Sequence, residues 1–133
     1  VDLSKAKSDA QWSLARPDWE SIQGNRRSRF ESETLLCSEQ PGAELNLSFK
    51  GTAIGLYVLA GPDAGTIEYS IDGAPMRQLD LFHRFSKGLH YPRTVLLEGD
   101  LDSGAHVLTL RVADQRHSNS TGNAVRILNF VVN

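Results

Sequence analysis

Apolar and polar residues alternate with a period of two along much of the chain. Residues 44–49 and 67–71 place apolar side chains at every second position, which predicts half-buried β-strands. Residues 53–60 are apolar on both faces, which predicts a central strand. Further runs bring the expected total to eight or nine strands, and they lie at residues 33–38, 76–79, 94–97, 106–112 and 124–132.

Turn-forming residues separate these predicted strands. Asp72-Gly73 follows the alternating run 67–71 and suits a two-residue type I′ turn, in which both central residues need a positive φ. Pro75 has no backbone N–H to donate, so the returning strand is predicted at the edge of its sheet. Gly55 interrupts the central strand and predicts a bulge or a close approach of another chain segment.

Strand follows strand without an intervening helix of ten residues or more. This order predicts an all-β fold, a two-sheet antiparallel β-sandwich of the jelly-roll, galactose-binding-like type. The 133 residues fit one domain, 1–133, whose first part, 1–28, is less regular and contains both tryptophans, Trp12 and Trp19.

Charge and hydropathy exclude two classes of partner. The formal net charge is −2, and the basic run at Arg26, Arg27 and Arg29 is expected to be a solvated loop or an ion-pair donor, so no nucleic-acid partner is predicted. No apolar run approaches the ~20 residues of a membrane span, so no membrane partner is predicted either. The chain begins at Val1 without a methionine, and we expect a processed form or a domain of a longer protein.

Catalytic and metal-binding patterns are weak in this sequence. It lacks the Gly-x-Ser-x-Gly motif of a nucleophile elbow, and the Asp-x-x-His spacing of Asp80 and His83 carries little weight without a nucleophile. The four histidines lack ligand-pair spacing, and Cys37 is expected to be a buried strand thiol. No cofactor is predicted, although a structural calcium ion near Asp63 stays open. No catalytic residue is therefore predicted, and a small esterase remains an alternative.

A surface suited to sugars is the stronger prediction. Aromatic faces cover the apolar C–H side of a sugar ring, while fixed polar groups bond its hydroxyls. Both kinds of side chain occur in the segment 82–93, and Trp19 or Trp12 offers a further ring. The predicted carbohydrate-binding residues are Trp19, His83, Arg84, Phe85, His90, Tyr91 and Arg93. The alternative is that these aromatic residues close the core of the sandwich.

Several segments of the chain carry a family resemblance. They are PGAEL at 41–45, GTAIG at 51–55, AGPDAG at 60–65, IEYSIDG at 67–73, DLF at 80–82, LH at 89–90, GNAVRI at 122–127 and FVVN at 130–133. Together they resemble the β-sandwich accessory domain of bacterial SGNH/GDSL-family hydrolases, a group that includes carbohydrate esterases. The resemblance covers roughly residues 29–133.

The resemblance implies a non-catalytic partner of an enzyme. In such proteins the catalytic serine and histidine belong to a separate, covalently linked hydrolase domain. We therefore expect a secreted or periplasmic carbohydrate-binding module that binds plant or microbial polysaccharide and targets the hydrolase. The alternatives are a structural accessory domain that packs on an SGNH/GDSL esterase, and a small esterase in its own right.

Overall fold

The computed structural model describes all residues, 1–133, and contains two antiparallel five-stranded sheets. The strands are β1 (Lys7–Ser8), β2 (Ser13–Ala15), β3 (Leu35–Ser38), β4 (Glu44–Lys50), β5 (Ile54–Ala60), β6 (Thr66–Ile71), β7 (Arg77–Asp80), β8 (Tyr91–Glu98), β9 (Ala105–Val112) and β10 (Val125–Val132). The first sheet has the order β1-β4-β9-β6-β7, and the second has the order β2-β3-β10-β5-β8. The predicted all-β sandwich is confirmed.

Helix is confined to three single-turn 3₁₀ helices. They lie at Leu3–Lys5, Trp19–Ser21 and Ser28–Phe30. All three belong to the part of the chain that precedes β3. No helix in the structure combines the length and the apolar character needed to cross a membrane.

The main core lies between the two sheets and follows from the alternation in the sequence. In β4 the side chains of Leu45, Leu47 and Phe49 are buried while their neighbours are exposed or half-buried. β5 pairs with both β8 and β10, which confirms it as a central strand. Residues that share an inward face contact one another across the sandwich, so the alternating pattern specifies the core.

Two local features of the sequence have the predicted geometry. Asp72 and Gly73 have φ values of 55° and 76°, which fits the type I′ turn between β6 and β7. β7 is an edge strand, as Pro75 predicted. At Gly55 the register of β5 against β8 shifts, and an added Cβ would lie 2.6 Å from the carbonyl oxygen of Val95. Glycine is therefore required at this bulge.

A second, smaller hydrophobic cluster covers the outer face of the second sheet. Its buried members are Trp19, Phe30, Leu35 and Leu59. Leu35 and Leu59 adjoin inward-facing residues in β3 and β5, so they point to the opposite face. The segment 16–34 lies over that face and buries it.

Candidate functional site

The segment 81–90 connects the edge strand of one sheet to the edge strand of the other. It leaves β7 at Asp80 and enters β8 at Tyr91, crossing one end of the sandwich. Of the seven predicted binding residues, the structure brings together His83, Arg84 and Phe85 of this segment and Tyr91 at the start of β8. The other three, Trp19, His90 and Arg93, make structural contacts.

Three rings form an aromatic cluster consisting of His83, Phe85 and Tyr91. The ring centroids of His83 and Phe85 are 5.1 Å apart, those of His83 and Tyr91 5.6 Å, and those of Phe85 and Tyr91 5.3 Å. Phe85 is 48% exposed, which is unusual for so large an apolar side chain. The guanidinium carbon of Arg84 lies 4.8 Å from the centroid of the Phe85 ring. The cluster therefore leaves Phe85 partly exposed to solvent, with the cation of Arg84 over its ring.

Backbone and side-chain hydrogen bonds fix the shape of this segment. Ser86 is fully buried, and its hydroxyl accepts from the backbone N–H of His83 at 3.0 Å. The backbone N–H of Ser86 donates to the carbonyl of His83 at 2.7 Å. Arg93 on β8 donates from Nη1 to the carbonyl oxygen of Leu81 at 3.0 Å. Arg93 therefore ties the start of the segment to the strand that follows it.

Contacts to distant parts of the chain hold the segment from its other side. Asn25 donates its backbone N–H to Gly88 and accepts from His90, both at 2.8 Å. Phe82 stacks on the ring of His117 with their centroids 4.8 Å apart. The segment is thus fixed to the N-terminal region and to the loop between β9 and β10, which favours a preorganised surface.

Trp19 and His90 are buried together below this surface. Trp19 is 4% exposed and His90 is fully buried, and their rings meet edge to face with centroids 5.0 Å apart. His90 Nε2 lies 2.8 Å from the carbonyl oxygen of Gln23, so Nε2 carries the proton in the neutral ring and donates it. Neither ring has a face free for a sugar, and we restrict the candidate site to His83, Arg84, Phe85 and Tyr91.

The close packing of His90 depends on Gly61. A Cβ at Gly61 would lie 2.1 Å from His90 Nδ1, so only glycine leaves room for the ring. That nitrogen is buried without a hydrogen-bond partner. Burial lowers the pKa of His90 below its usual value, and the nearby Arg126 guanidinium lowers it further, while the bond to Gln23 opposes them. His90 is therefore a neutral structural residue.

A buried ion pair lies next to this histidine. Arg126 on β10 is 4% exposed and donates from Nη1 and Nη2 to the two carboxylate oxygens of Asp63, both at 2.7 Å. Burial raises the pKa of Asp63, but the hydrogen bonds and charge of Arg126 outweigh it, so the pKa lies below its usual value. Asp63, which the sequence left open as a calcium ligand, is engaged by this guanidinium. No group of three or more His, Cys, Asp or Glu side chains is arranged to hold a metal ion.

The weak catalytic pattern of Asp80 and His83 corresponds to two local turns. Asp80 Oδ1 accepts from the backbone N–H of Phe82 at 2.9 Å, and His83 Nδ1 accepts from the backbone N–H of Phe85 at 3.3 Å. The two side chains shape the segment separately. Cys37 lies on β3, and burial raises the pKa of its thiol to about 12, so it is a thiol rather than a thiolate near neutral pH.

Sequence reasoning missed the residues that support the candidate site. Ser86, Asn25 and the Phe82–His117 stack contribute through contacts between parts of the chain that are distant in sequence, and no local pattern identifies them. Gly61 lay in a predicted turn, but its close contact with His90 had no separate signal. Exposed Phe85 itself was predicted, because it stands in a segment too aromatic for an ordinary linker.

No protein-family model and no curated protein sequence matches the chain. Solved structures do share its fold. A two-domain esterase (CEX) active on acetylated mannans, co-crystallised with mannopentaose, is 14% identical with a TM-score of 0.62, over 96% of this chain and 33% of that one. A family two carbohydrate esterase from Clostridium thermocellum, in complex with cellohexaose, is 22% identical with a TM-score of 0.52, over 92% of this chain and 31% of that one.

An exo-β-1,3-galactanase from Phanerochaete chrysosporium, with β-1,3-galactotriose, is 14% identical with a TM-score of 0.60, over 100% of this chain and 28% of that one. The chain thus spans about a third of the length of the solved structures it matches. At these identities the likeness is one of fold. The chain has the fold of β-sandwich domains that occur within carbohydrate-active enzymes.

Proposed function

We propose that this domain is a non-catalytic carbohydrate-binding module and that the aromatic cluster is its sugar-binding surface. The observation that carries the proposal is the exposed ring of Phe85, held beside Tyr91 and His83 on a fixed segment. Phe85 is the one exposed aromatic ring of the chain, since all its other phenylalanine, tyrosine and tryptophan side chains are buried or half-buried. A sugar ring that packs on the exposed part of Phe85 covers apolar surface there.

The polar groups around the ring supply the rest of the recognition. Arg84 carries five N–H donors that can bond sugar hydroxyls, and Tyr91 adds a phenolic hydroxyl. His83 Nδ1 already accepts a backbone bond, which leaves Nε2 of that ring for the ligand. Stacking orients the sugar and these groups select among hydroxyl arrangements.

The fold comparisons support the class of ligand. Two of the matched enzymes were crystallised with mannopentaose and cellohexaose, and a third with β-1,3-galactotriose. We infer that the domain belongs to a larger secreted protein and brings a covalently linked hydrolase, of the SGNH/GDSL type suggested by the sequence, to its polysaccharide. The accessory-domain and small-esterase alternatives are separated from this proposal by the experiment below.

Replacing Phe85→Ala tests the proposal. Affinity electrophoresis in gels that contain mannan, β-glucan or galactan identifies a ligand, and isothermal titration then measures the affinity. Loss of the exposed ring is expected to weaken binding about tenfold or more, since covering one aromatic side chain stabilises by about 1.5–3 kcal/mol. Tyr91→Ala is expected to have a smaller effect in the same direction, because that ring is half-buried.

Leu96→Ala is the matched control. Leu96 is 66% exposed on β8, the strand that begins with Tyr91, and lies outside the aromatic cluster. The Leu96→Ala variant should bind the polysaccharide with wild-type affinity. Wild-type binding by Phe85→Ala would refute the site, and no retention on any polysaccharide would favour an accessory domain that only packs on its hydrolase. Turnover of acetylated sugars by the purified domain would favour the esterase.

A further inference from the structure

The candidate site carries a concentrated positive charge. Residues 80–93 contain three cations, Arg84, Lys87 and Arg93, against one carboxylate, Asp80, in a chain whose net charge is −2. Arg84 and Lys87 are exposed beside the aromatic cluster. The exposed aromatic ring therefore lies within a local excess of positive charge.

These cations differ from most arginines on the strands. Arg77 pairs with Glu98 at 2.9 Å, Arg111 with Glu68 at 3.5 Å, and Arg126 with Asp63 at 2.7 Å. The guanidinium of Arg84 instead lies 4.8 Å from the Phe85 ring centroid without a carboxylate partner. Arg93 donates from Nη1 to the backbone carbonyl oxygens of Asp80 and Leu81. Arg84 thus keeps its charge and its donors for a ligand.

We propose that the ligand of this site is an acidic sugar, a pyranose that carries a carboxylate. The proposal rests on the proposed function and names its ligand class. The C–H face of the ring lies on Phe85, and the carboxylate accepts from Arg84, whose planar fork matches a carboxylate. Lys87 adds a second, less directional positive charge.

The separation between ring and cation fits such a ligand. The Arg84 guanidinium lies over the Phe85 ring, 4.8 Å from its centroid, so a sugar residue that packs on the part of the ring left exposed also comes within reach of the guanidinium. A neutral sugar also packs on the aromatic ring, but it offers the guanidinium only neutral hydroxyl oxygens as acceptors. A hydrogen bond between two charged groups is about twice as strong as one between neutral groups, so the carboxylate of an acidic sugar should add affinity. Nucleic acid is the less suitable anion, because the chain has no overall basic surplus.

The test compares one polymer in two chemical states. Polygalacturonate and its carboxyl-reduced galactan share linkage and stereochemistry and differ only in the charged group. Isothermal titration should show the wild type binding polygalacturonate about tenfold or more tightly than the reduced polymer. Raising NaCl from about 50 to about 500 mM should weaken binding of the acidic polymer and leave the neutral one unchanged.

Two variants divide the interaction into its parts. Arg84→Gln removes the charge and should weaken polygalacturonate binding about tenfold, with little effect on the reduced polymer. Phe85→Ala should weaken both polymers. Lys50→Gln is the control: it removes one exposed positive charge at the opposite end of the sandwich, where Lys50 pairs with Ala105. It should leave both affinities unchanged.

The possible results separate this inference from the proposed function. Equal affinity for the acidic and reduced polymers would overturn the acidic-sugar assignment and keep the carbohydrate-binding module. Stronger binding of dextran sulfate than of polygalacturonate would overturn the carboxylate assignment. Binding of single-stranded oligodeoxythymidine as tight as that of polygalacturonate would overturn it as well. Absence of binding to any polysaccharide would refute both proposals together.

Discussion

At the scale of single residues, burial decides which aromatic side chains can meet a ligand. His83 and His90 stand seven positions apart in one segment, and the sequence alone does not rank them. His83 is half-buried between exposed Phe85 and half-buried Tyr91, whereas His90 is fully buried against Trp19 and Gly61. The same residue type therefore contributes to a candidate binding surface at one position and to the structure below it at the other.

Replacing His90→Gln should change how stability depends on pH. The pKa of His90 in the folded chain lies below its usual 6.5, because the ring is buried and Arg126 and Arg26 lie close, with Asp63 and the Gln23 carbonyl opposing them. Between the folded and unfolded pKa values the unfolded chain binds more protons, so stability falls as pH falls below about 6.5. A difference of one between the folded and unfolded pKa values corresponds to about 1.4 kcal/mol of unfolding free energy.

Urea unfolding from about pH 8 to about pH 5 measures this effect. The variant should be less stable than the wild type at pH 8, because glutamine packs less well, and the gap should narrow at pH 5, because glutamine does not titrate. The other ionisable groups are the same in both proteins, so their contributions cancel in the difference. A gap that stays constant with pH would show that His90 keeps its usual pKa.

At the scale of elements, regular alternation and turn chemistry predicted most of the strands. β4, β5 and the β6–β7 hairpin all lie where apolar spacing and the Asp72-Gly73 turn place them. The two short strands β1 and β2 are not predicted by the pattern, because two or three residues are too few to show an alternation and their pairing with β4 and β3 is a tertiary contact. β8 begins at Tyr91 rather than at residue 94, since pairing with β5 extends it past its alternating part.

In the candidate site, too, local sequence predicts some features and tertiary contacts determine the others. His83, Arg84, Phe85 and Tyr91 lie within nine residues, so composition alone grouped them. The roles of Trp19 and His90 depend on contacts between segments 71 residues apart in the chain, which no local pattern encodes. Sequence reasoning therefore grouped residues that the fold brings together, but it could not separate them from Trp19 and His90, which are buried.

The Asp72-Gly73 hairpin provides a second pH-dependent prediction. Asp72 Oδ2 lies 2.6 Å from His106 Nδ1, and this hydrogen bond raises the pKa of His106. Because the pKa of His106 is higher in the folded chain, the Asp72–His106 interaction stabilises the fold below about pH 6.5, and this stabilisation is lost as the pH rises through the folded pKa. The pH dependence is opposite to that expected for His90. Asp72→Asn keeps a residue that tolerates the positive φ and removes the charge.

NMR titration of the histidine ring signals checks this prediction. In Asp72→Asn the pKa of His106 should fall toward 6.5, and the thermal midpoint should decrease more at pH 5.5 than at pH 8.5. The signals of His117, which stacks on Phe82 at the other end of the sandwich, serve as the internal control. An unchanged titration of His106 would mean that the ion pair with Asp72 does not form in solution.

At the scale of the whole molecule, the segment 16–34 adds a third layer to the two sheets. It covers the outer face of the second sheet with Trp19 and Phe30, and it reaches the candidate site through Asn25 and Gln23. The Arg126 guanidinium lies 5.7 Å from the Trp19 ring centroid, so the ring joins this layer to the buried ion pair. The stability of the covering segment and the order of the candidate site therefore depend on the same contacts.

Trp19→Ala should loosen that layer and weaken the surface from below. Truncating a buried tryptophan costs about 3–5 kcal/mol in unfolding free energy. Hydrogen exchange should show the largest loss of protection in residues 16–34 and 81–90, because both contact the ring or its partner His90. Sugar affinity should fall by less than in Phe85→Ala, since Trp19 supports the site and is 4% exposed.

Trp12→Ala is the matched control, because Trp12 is 7% exposed but belongs to the core between the sheets. It should lower global stability by a similar amount without selective loss of protection in residues 16–34. If Trp19→Ala instead abolished sugar binding while unfolding free energy and exchange stayed at wild-type values, the ring would have to contact the ligand. The segment 16–34 would then have to move away from the second sheet on binding, and the covering layer would be part of the binding site.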